Sequence, residues 1–226
     1  MVNVKNEYSK LKEVIVGTIN NANMPSHGTD LHAINYADKD KIPSNERFHF
    51  HDDVYRETEE DLNHLVKVLE DFGAKVHRPK TIKTNSLVSN GHWATDQYYT
   101  FCPRDTMTVI GDTIIEAPMT LRSRQFETDA YRDLFIKYME QGTKWICAPK
   151  PRLTNDSYQR KDLSKLTLTE VEPVFDAANI LRHNDDILYL NSNTGNYKGY
   201  LWLKNILGDK YKVHFLENIG CFLSII

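Results

Sequence analysis

The chain has 226 residues, 40% of them hydrophobic and 26% charged, with 28 Lys plus Arg against 31 Asp plus Glu. A formal charge of −3 and a pI near 6.3 supply no broad basic field, which argues against sequence-independent binding to nucleic acid or to an anionic membrane surface. No run approaches the roughly 18–20 apolar residues of a membrane span, and residues 1–12 are too polar for a signal peptide. The sequence therefore reads as a cytoplasmic protein whose partner is a small molecule. Its three cysteines, Cys102, Cys147 and Cys221, are odd in number and widely spaced, which supports neither a disulfide framework nor a CxxC metal site.

In chain order, residues 11–17 form a β-branched run closed by Gly17 and predict a buried strand. Residues 18–53 are rich in Asn, Asp, His and Ser with Pro25 and Pro43, which predicts a long surface loop or lid. From Tyr55 the residues Leu62, Leu65, Val66, Leu69 and Phe72 fall at helical spacing ahead of Gly73, and a strand over 74–77 follows. The same order returns twice. Strands over 106–111 and 113–116 precede a helix carrying Tyr131, Leu134, Phe135, Tyr138 and Met139, then Gly142 and a strand over 144–147. Strands over 180–183 and 187–190 precede a helix with Tyr200, Leu201, Leu203, Ile206 and Leu207, then Gly208 and a strand over 211–216. The helix-ending glycines lie 69 (142 − 73) and 66 (208 − 142) residues apart, so the chain reads as three strand-strand-helix-strand units. Such repeats bury their apolar faces on one another in an array or propeller. The apolar tail 221–226 reads as an interrupted core strand.

Two carboxylates stand at equivalent places at the head of units two and three, Asp105 in CPRD and Asp176 in EPVFDAAN. Asp176 lies among Val174, Phe175, Ala177 and Ala178, where an unpaired charge is costly, so it calls for a cationic or multiply donating partner. A guanidinium, planar with five donors, suits two convergent carboxylates. A purely structural role stands beside this one, with Asp105 paired to Arg104 or another neighbour and Asp176 capping a turn. The segment Phe48-His49-Phe50-His51-Asp52-Asp53 offers metal ligands in principle, but with no second cluster a loop or helix-capping role is preferred. Arg122 and Arg124 have the chemistry to grip a substrate carboxylate, but Glu116, Glu127 and Asp129 nearby favour a structural ion-pair role; Cys102 beside Pro103 permits a reactive thiol but is read as a buried hydrophobe, Cys147 as a core residue, and His214 as a packed strand residue.

Long ordered motifs then become recognisable. Tyr99-Thr100-Phe101-Cys102-Pro103-Arg104-Asp105, Ile114-Ile115-Glu116-Ala117-Pro118-Met119, Arg122-Ser123-Arg124, Ala148-Pro149-Lys150-Pro151 and Glu172-Pro173-Val174-Phe175-Asp176-Ala177-Ala178 closely resemble the glycine amidinotransferase family, as does the opening Asn6-Glu7-Tyr8. The resemblance implies an α/β fold, a pentein-type β/α-propeller of five units, of which this single domain over 1–226 holds three (approximately 1–80, 99–150 and 170–226). It further implies transfer of an amidino group from arginine to an acceptor amine, glycine or an amino-cyclitol type amine, through an amidino-cysteine intermediate, with neither metal nor other cofactor. By the same likeness Asp105 and Asp176 hold the substrate guanidinium, Asp176 belongs to the catalytic group, and Tyr99 lines the pocket. The family's HxD histidine and late cysteine have no counterpart in these residues. The expectation is accordingly a truncated chain, inactive alone, in which Cys221 is not the nucleophile, and whose open strand edges favour a homo-oligomer or a poorly soluble monomer. A noncatalytic guanidino-compound-binding or assembly protein is the alternative.

Overall fold

The computed structural model describes residues 1–25, 28–35, 50–160, 162 and 164–217. Strand β1 (Glu13–Ile15) is followed by the short helix α1 (Thr29–Asn35) and the long helix α2 (Asp52–Asp71), and β2 (Lys75–His77) returns parallel to β1, with Val14 opposite Val76. The N-terminus of α2 follows from its sequence: the His51 ring Nδ1 accepts from the Asp53 N–H at 3.3 Å, and Asp52 and Asp53 complement the positive end of the helix. The capping role expected for His51 is the observed one; His49 of the same motif lies outside the described residues. Gly73, at φ +82°, ends this helix, and Gly142, at φ +91°, ends its equivalent in the next unit, the left-handed geometry that favours glycine.

A small antiparallel hairpin, β3 (Leu87–Ser89) with β4 (Ala94–Asp96), which the sequence reading omits, connects to the second unit. There the short helix α3 (Pro103–Thr106) feeds β5 (Met107–Ile110), antiparallel to β6 (Thr113–Glu116); α4 (Arg132–Glu140) crosses over, and β7 (Lys144–Cys147) pairs parallel to β6. The third unit repeats this with β8 (Ile180–His183), β9 (Asp186–Leu190), α5 (Tyr197–Leu207) and β10 (Lys212–Leu216). Two of the three expected strand-strand-helix-strand units are thus present. Among the described residues the first unit is strand-helix-strand only, and none of the small sheets closes on itself. Instead of a first strand of its own, the N-terminal arm makes single bridges to the other units, Val4 to Gly111 and Asn6 to His183.

Strand β6 shows why these runs are apolar throughout. Consecutive side chains point to opposite faces. Ile114 joins Met107, Tyr131 and Phe135 in the core facing unit one, while Ile115 joins Phe175, Ile180, Tyr189 and Leu203 in the core facing unit three. A strand covered on both faces reads as a continuous hydrophobic run rather than an alternating one. Units therefore share cores, and each lends its neighbour half of a hydrophobic interior.

The region expected as a surface loop contains α1, which is buried. Leu31 packs with Tyr98 and Leu121, and Ala33 with Trp93, Leu153 and Tyr158. The seven-residue helix carries too few apolar positions to show a period, and tertiary burial rather than propensity holds it. Among the described residues no helix is long and apolar enough to cross a membrane.

Gly17, just past β1, fixes the approach of unit one to the segment that opens the second unit. The Thr18 N–H donates to Thr100 O at 3.0 Å, and a Cβ on Gly17 would fall well inside van der Waals contact with the Phe101 carbonyl. Backbone rather than a mobile side chain is in the way. Gly17→Ala is therefore expected to destabilise the chain by about 2–4 kcal/mol, read as a lowered urea midpoint, whereas a change within experimental error would show that the 99–101 segment moves freely.

Candidate functional site

Asp176 begins the 3-10 turn Ala177–Asn179 and is only 7% exposed. Its backbone is fixed first: the Asp176 N–H donates to Thr194 O at 2.7 Å, and the Asn179 side chain donates to Asp176 O and to Thr194 O. Its carboxylate Oδ1 then accepts from both the Thr120 backbone N–H at 3.1 Å and the Thr120 hydroxyl at 3.0 Å. Among the described residues it has no ion-pair partner. Burial pushes its carboxyl up to about 7; Arg124 draws it down and the nearby Asp105 charge pushes it further up.

Asp105 lies in α3, with its side chain 22% exposed. One oxygen, Oδ2, accepts from Arg124 Nη1 at 2.8 Å. Arg124 itself is buried and forks onto Glu127, with Nε to Oε2 at 2.6 Å and Nη2 to Oε1 at 3.2 Å, while its Cζ sits 4.9 Å from the centre of the Tyr99 ring. The two carboxylates keep the guanidinium charged against the opposing effect of burial. Tyr99, half-buried, stacks against this internal cation and against Tyr98, whose ring centroid is 4.0 Å away.

One segment organises all of this. After β6 the chain passes Met119, a non-glycine residue at φ +54°, and alternate residues then reach the acids: Thr120 holds Asp176, the Arg122 N–H donates to buried Asp30 of α1 at 2.9 Å, and Arg124 holds Asp105 and Glu127. Arg122's side chain is anchored on Leu153 O, at 2.9 Å from Nε, and Leu153 is also left-handed at φ +49°. Two strained residues beside one polar cluster are what over-determined functional segments show.

The remaining candidates are structural in their contacts. The Cys102 thiol is pushed up to about 11 by burial and by the Asp105 charge. Cys147, expected in the core, is exposed instead; its thiol donates to Glu116 Oε1 at 3.0 Å, and partial burial with that contact pushes it up to about 11. It is the last residue of β7 and lies opposite the buried Glu116 at the end of β6, at the edge of the apolar core. Both are free thiols. His214 pairs with Asp186 across β10 and β9 at 2.5 Å. Among the described residues no group of three His, Cys, Asp or Glu side chains is placed to hold a metal; Cys221 and the apolar tail lie outside the described residues.

No family model matches the chain. An inosamine-phosphate amidinotransferase of Streptomyces griseus is 44% identical over 218 residues, 95% of this chain and 62% of that enzyme. The solved structure of inosamine-phosphate amidinotransferase from that organism superposes with a TM-score of 0.91 over the same shares. The chain is a homologue of the amidinotransferases. A structure of an amidinotransferase from Microseira wollei, in the saxitoxin biosynthetic pathway, matches at a TM-score of 0.86 and 36% identity, covering 96% of this chain and 62% of that one. The mitochondrial glycine amidinotransferase of Xenopus laevis is 34% identical over 94% of this chain and 54% of its own length. The fold is that of the pentein-type amidinotransferases, and the chain spans about three-fifths of the length of the inosamine-phosphate amidinotransferase it matches.

In this amidinotransferase homologue the three residues singled out from sequence lie around one buried guanidinium: Asp105 and Tyr99 touch Arg124, and Asp176 feels its charge. The sequence reading missed Thr120 and Asp30. The signal for both is the alternation over 120–124, invisible until the partners across the fold are known.

Proposed function

We propose that this chain carries the guanidino-binding part of an amidinotransferase that takes arginine as donor and an amine of the amino-cyclitol type or glycine as acceptor. The observation that carries the reading is Asp176: a buried carboxylate with two donors on Oδ1, no ion-pair partner among the described residues, and Asp105 close enough to feel its charge. An arginine guanidinium entering beside Asp176 supplies the missing cation, its planar fork matching a carboxylate in two parallel hydrogen bonds. Asp105 offers Oδ1, the oxygen that Arg124 does not take, and Tyr99 forms a wall. Held between two carboxylates, the guanidino carbon is oriented and polarised for attack.

In the whole enzyme the resemblance implies that a thiolate attacks this carbon, ornithine leaves with a proton from a histidine, and the acceptor amine then takes the amidino group from sulfur, within a ring of five units. Cys102 and Cys147, both protonated at neutral pH, are not assigned the nucleophile's part. The 44% identity to an inosamine-phosphate amidinotransferase favours a cyclitol amine as acceptor.

Calorimetric titration of arginine into the 226-residue chain tests this reading. Asp105→Asn is expected to weaken binding at least about tenfold, the scale of one lost charge-assisted contact. Binding unchanged from the parent would sink the site assignment. A separate expectation concerns the thiols. Cys102→Ser and Cys147→Ser should leave arginine affinity within about twofold of the parent, because neither contributes charge; ornithine release from labelled arginine that disappears in Cys102→Ser alone would place the nucleophile there.

A further inference from the structure

Arg104 precedes Asp105 in α3 but points away from it, toward the third unit. Its Nη1 donates to Ala177 O at 2.8 Å and its Nη2 to Ile180 O at 2.5 Å. These carbonyls bracket the 3-10 turn Ala177–Asn179, whose first flanking residue is Asp176. One guanidinium thus joins the residue next to Asp105 to the two ends of the turn that Asp176 begins. Arg104 is in turn held from behind. Glu7 of the N-terminal arm lies 3.7 Å from its Nη2 and accepts two hydrogen bonds from the Arg182 side chain, at 2.7 Å from Nε and 2.6 Å from Nη2. Arg182 donates onward to Val109 O of β5 at 2.8 Å. Two guanidinium groups this close repel each other. Glu7 between them offsets that repulsion, and although burial pushes its carboxyl up, Arg182 and Arg104 hold it below the usual range.

We propose that Arg104 is a positioning residue that sets the spacing between Asp105 and Asp176, with Glu7 of the N-terminal arm keeping it in place. The inference rests on reading those two carboxylates as the guanidinium pair. It explains why Glu7, in the N-terminal arm, is drawn into a bidentate ion pair with Arg182 of the third unit. A forked group is needed, because a lysine reaches only one carbonyl at a time and leaves the other free to shift.

The electrostatic coupling of the carboxylates serves as a ruler for their distance, and it is read without ligand. The groups facing Asp176 are Thr120, Arg124, Asp105, Tyr158 and Tyr189; only Asp105 is altered. In the parent chain Asp105→Asn removes a neighbouring negative charge and is expected to lower the Asp176 carboxyl midpoint, followed by carbon-13 NMR. In an Arg104→Lys background the same change should move that midpoint by less than ~0.3 pH units, and Arg104→Lys alone should weaken arginine binding about tenfold or more. Glu7→Gln removes the charge between the two guanidinium groups and one of the two side-chain acceptors that Arg182 uses, leaves Arg104 its own donors to Ala177 O and Ile180 O, and should give a partial loss of the same coupling. A folded Arg104→Lys chain that retains the parent's full Asp105-dependent shift overturns the proposal. Should Arg104→Lys not fold, undiminished coupling in Glu7→Gln overturns it. Failure of the parent to bind arginine, with coupling behaving as described, would instead count against the functional reading alone.

Discussion

Arg124→Met is expected to lower the stability of the chain by about 3–5 kcal/mol at pH 8, a third or more of what a domain of this size commonly has. Arg124 and Glu127 are both almost fully buried, and Asp105 is largely so. Removing the guanidinium leaves two acids facing each other in a poorly hydrated space, and Tyr99 loses the cation on its face. Glu127 then folds only as the neutral acid, so its folded-state pKa rises further above the unfolded value. A carboxyl with a raised folded pKa weakens stability progressively as pH climbs from its unfolded to its folded pKa. The defect should accordingly be smaller at pH 5 than at pH 8. Urea unfolding at both pH values checks this, and Arg124→Met with Glu127→Leu should recover part of the loss. A variant as stable as its parent at pH 8 would mean that the network contributes nothing to folding.

Asp176→Asn should abolish measurable arginine binding and at the same time stabilise the chain. Asparagine keeps an acceptor for both Thr120 donors but carries no charge. In the parent, burial raises the folded-state Asp176 carboxyl to about 7, well above its ordinary value of 3.8. The folded state therefore holds the extra proton between these values, and stability falls as pH rises through that window. Below pH 4 parent and variant should differ little. Above pH 7 the full cost of ionising a buried acid is present in the parent only. Allowing for the new amide N–H2 group, the variant should gain about 1–3 kcal/mol at pH 8.5. Thermal or urea unfolding across pH 4–8.5 measures the difference, and calorimetry measures the binding. A variant that is less stable at pH 8.5 would show that Asp176 is paired in solution. One that is more stable but still binds arginine would remove Asp176 from the site. Such a gain in stability with loss of binding is the trade-off expected of a charge kept for function.

By itself the sequence determined the second and third units of the chain, because their short strands are apolar runs and their helices carry apolar residues at helical spacing, punctuated by Gly142 and Gly208, so local pattern and tertiary burial agree. The CPRD and FDAA motifs likewise marked Asp105 and Asp176 as an unusual pair, since one of them sits in an apolar run where a carboxylate is costly. Only the tertiary structure decided what those acids face. Arg124 is claimed by Asp105 and Glu127, Thr120 is spent on Asp176, and α1 is buried against Tyr98 and Leu153. It also decided that Cys147 is exposed and that, among the described residues, the first unit has one strand before its helix rather than two. Each of these depends on contacts between residues far apart in the chain, where a side chain's charge and burial are set by what the fold brings to it rather than by its neighbours in sequence.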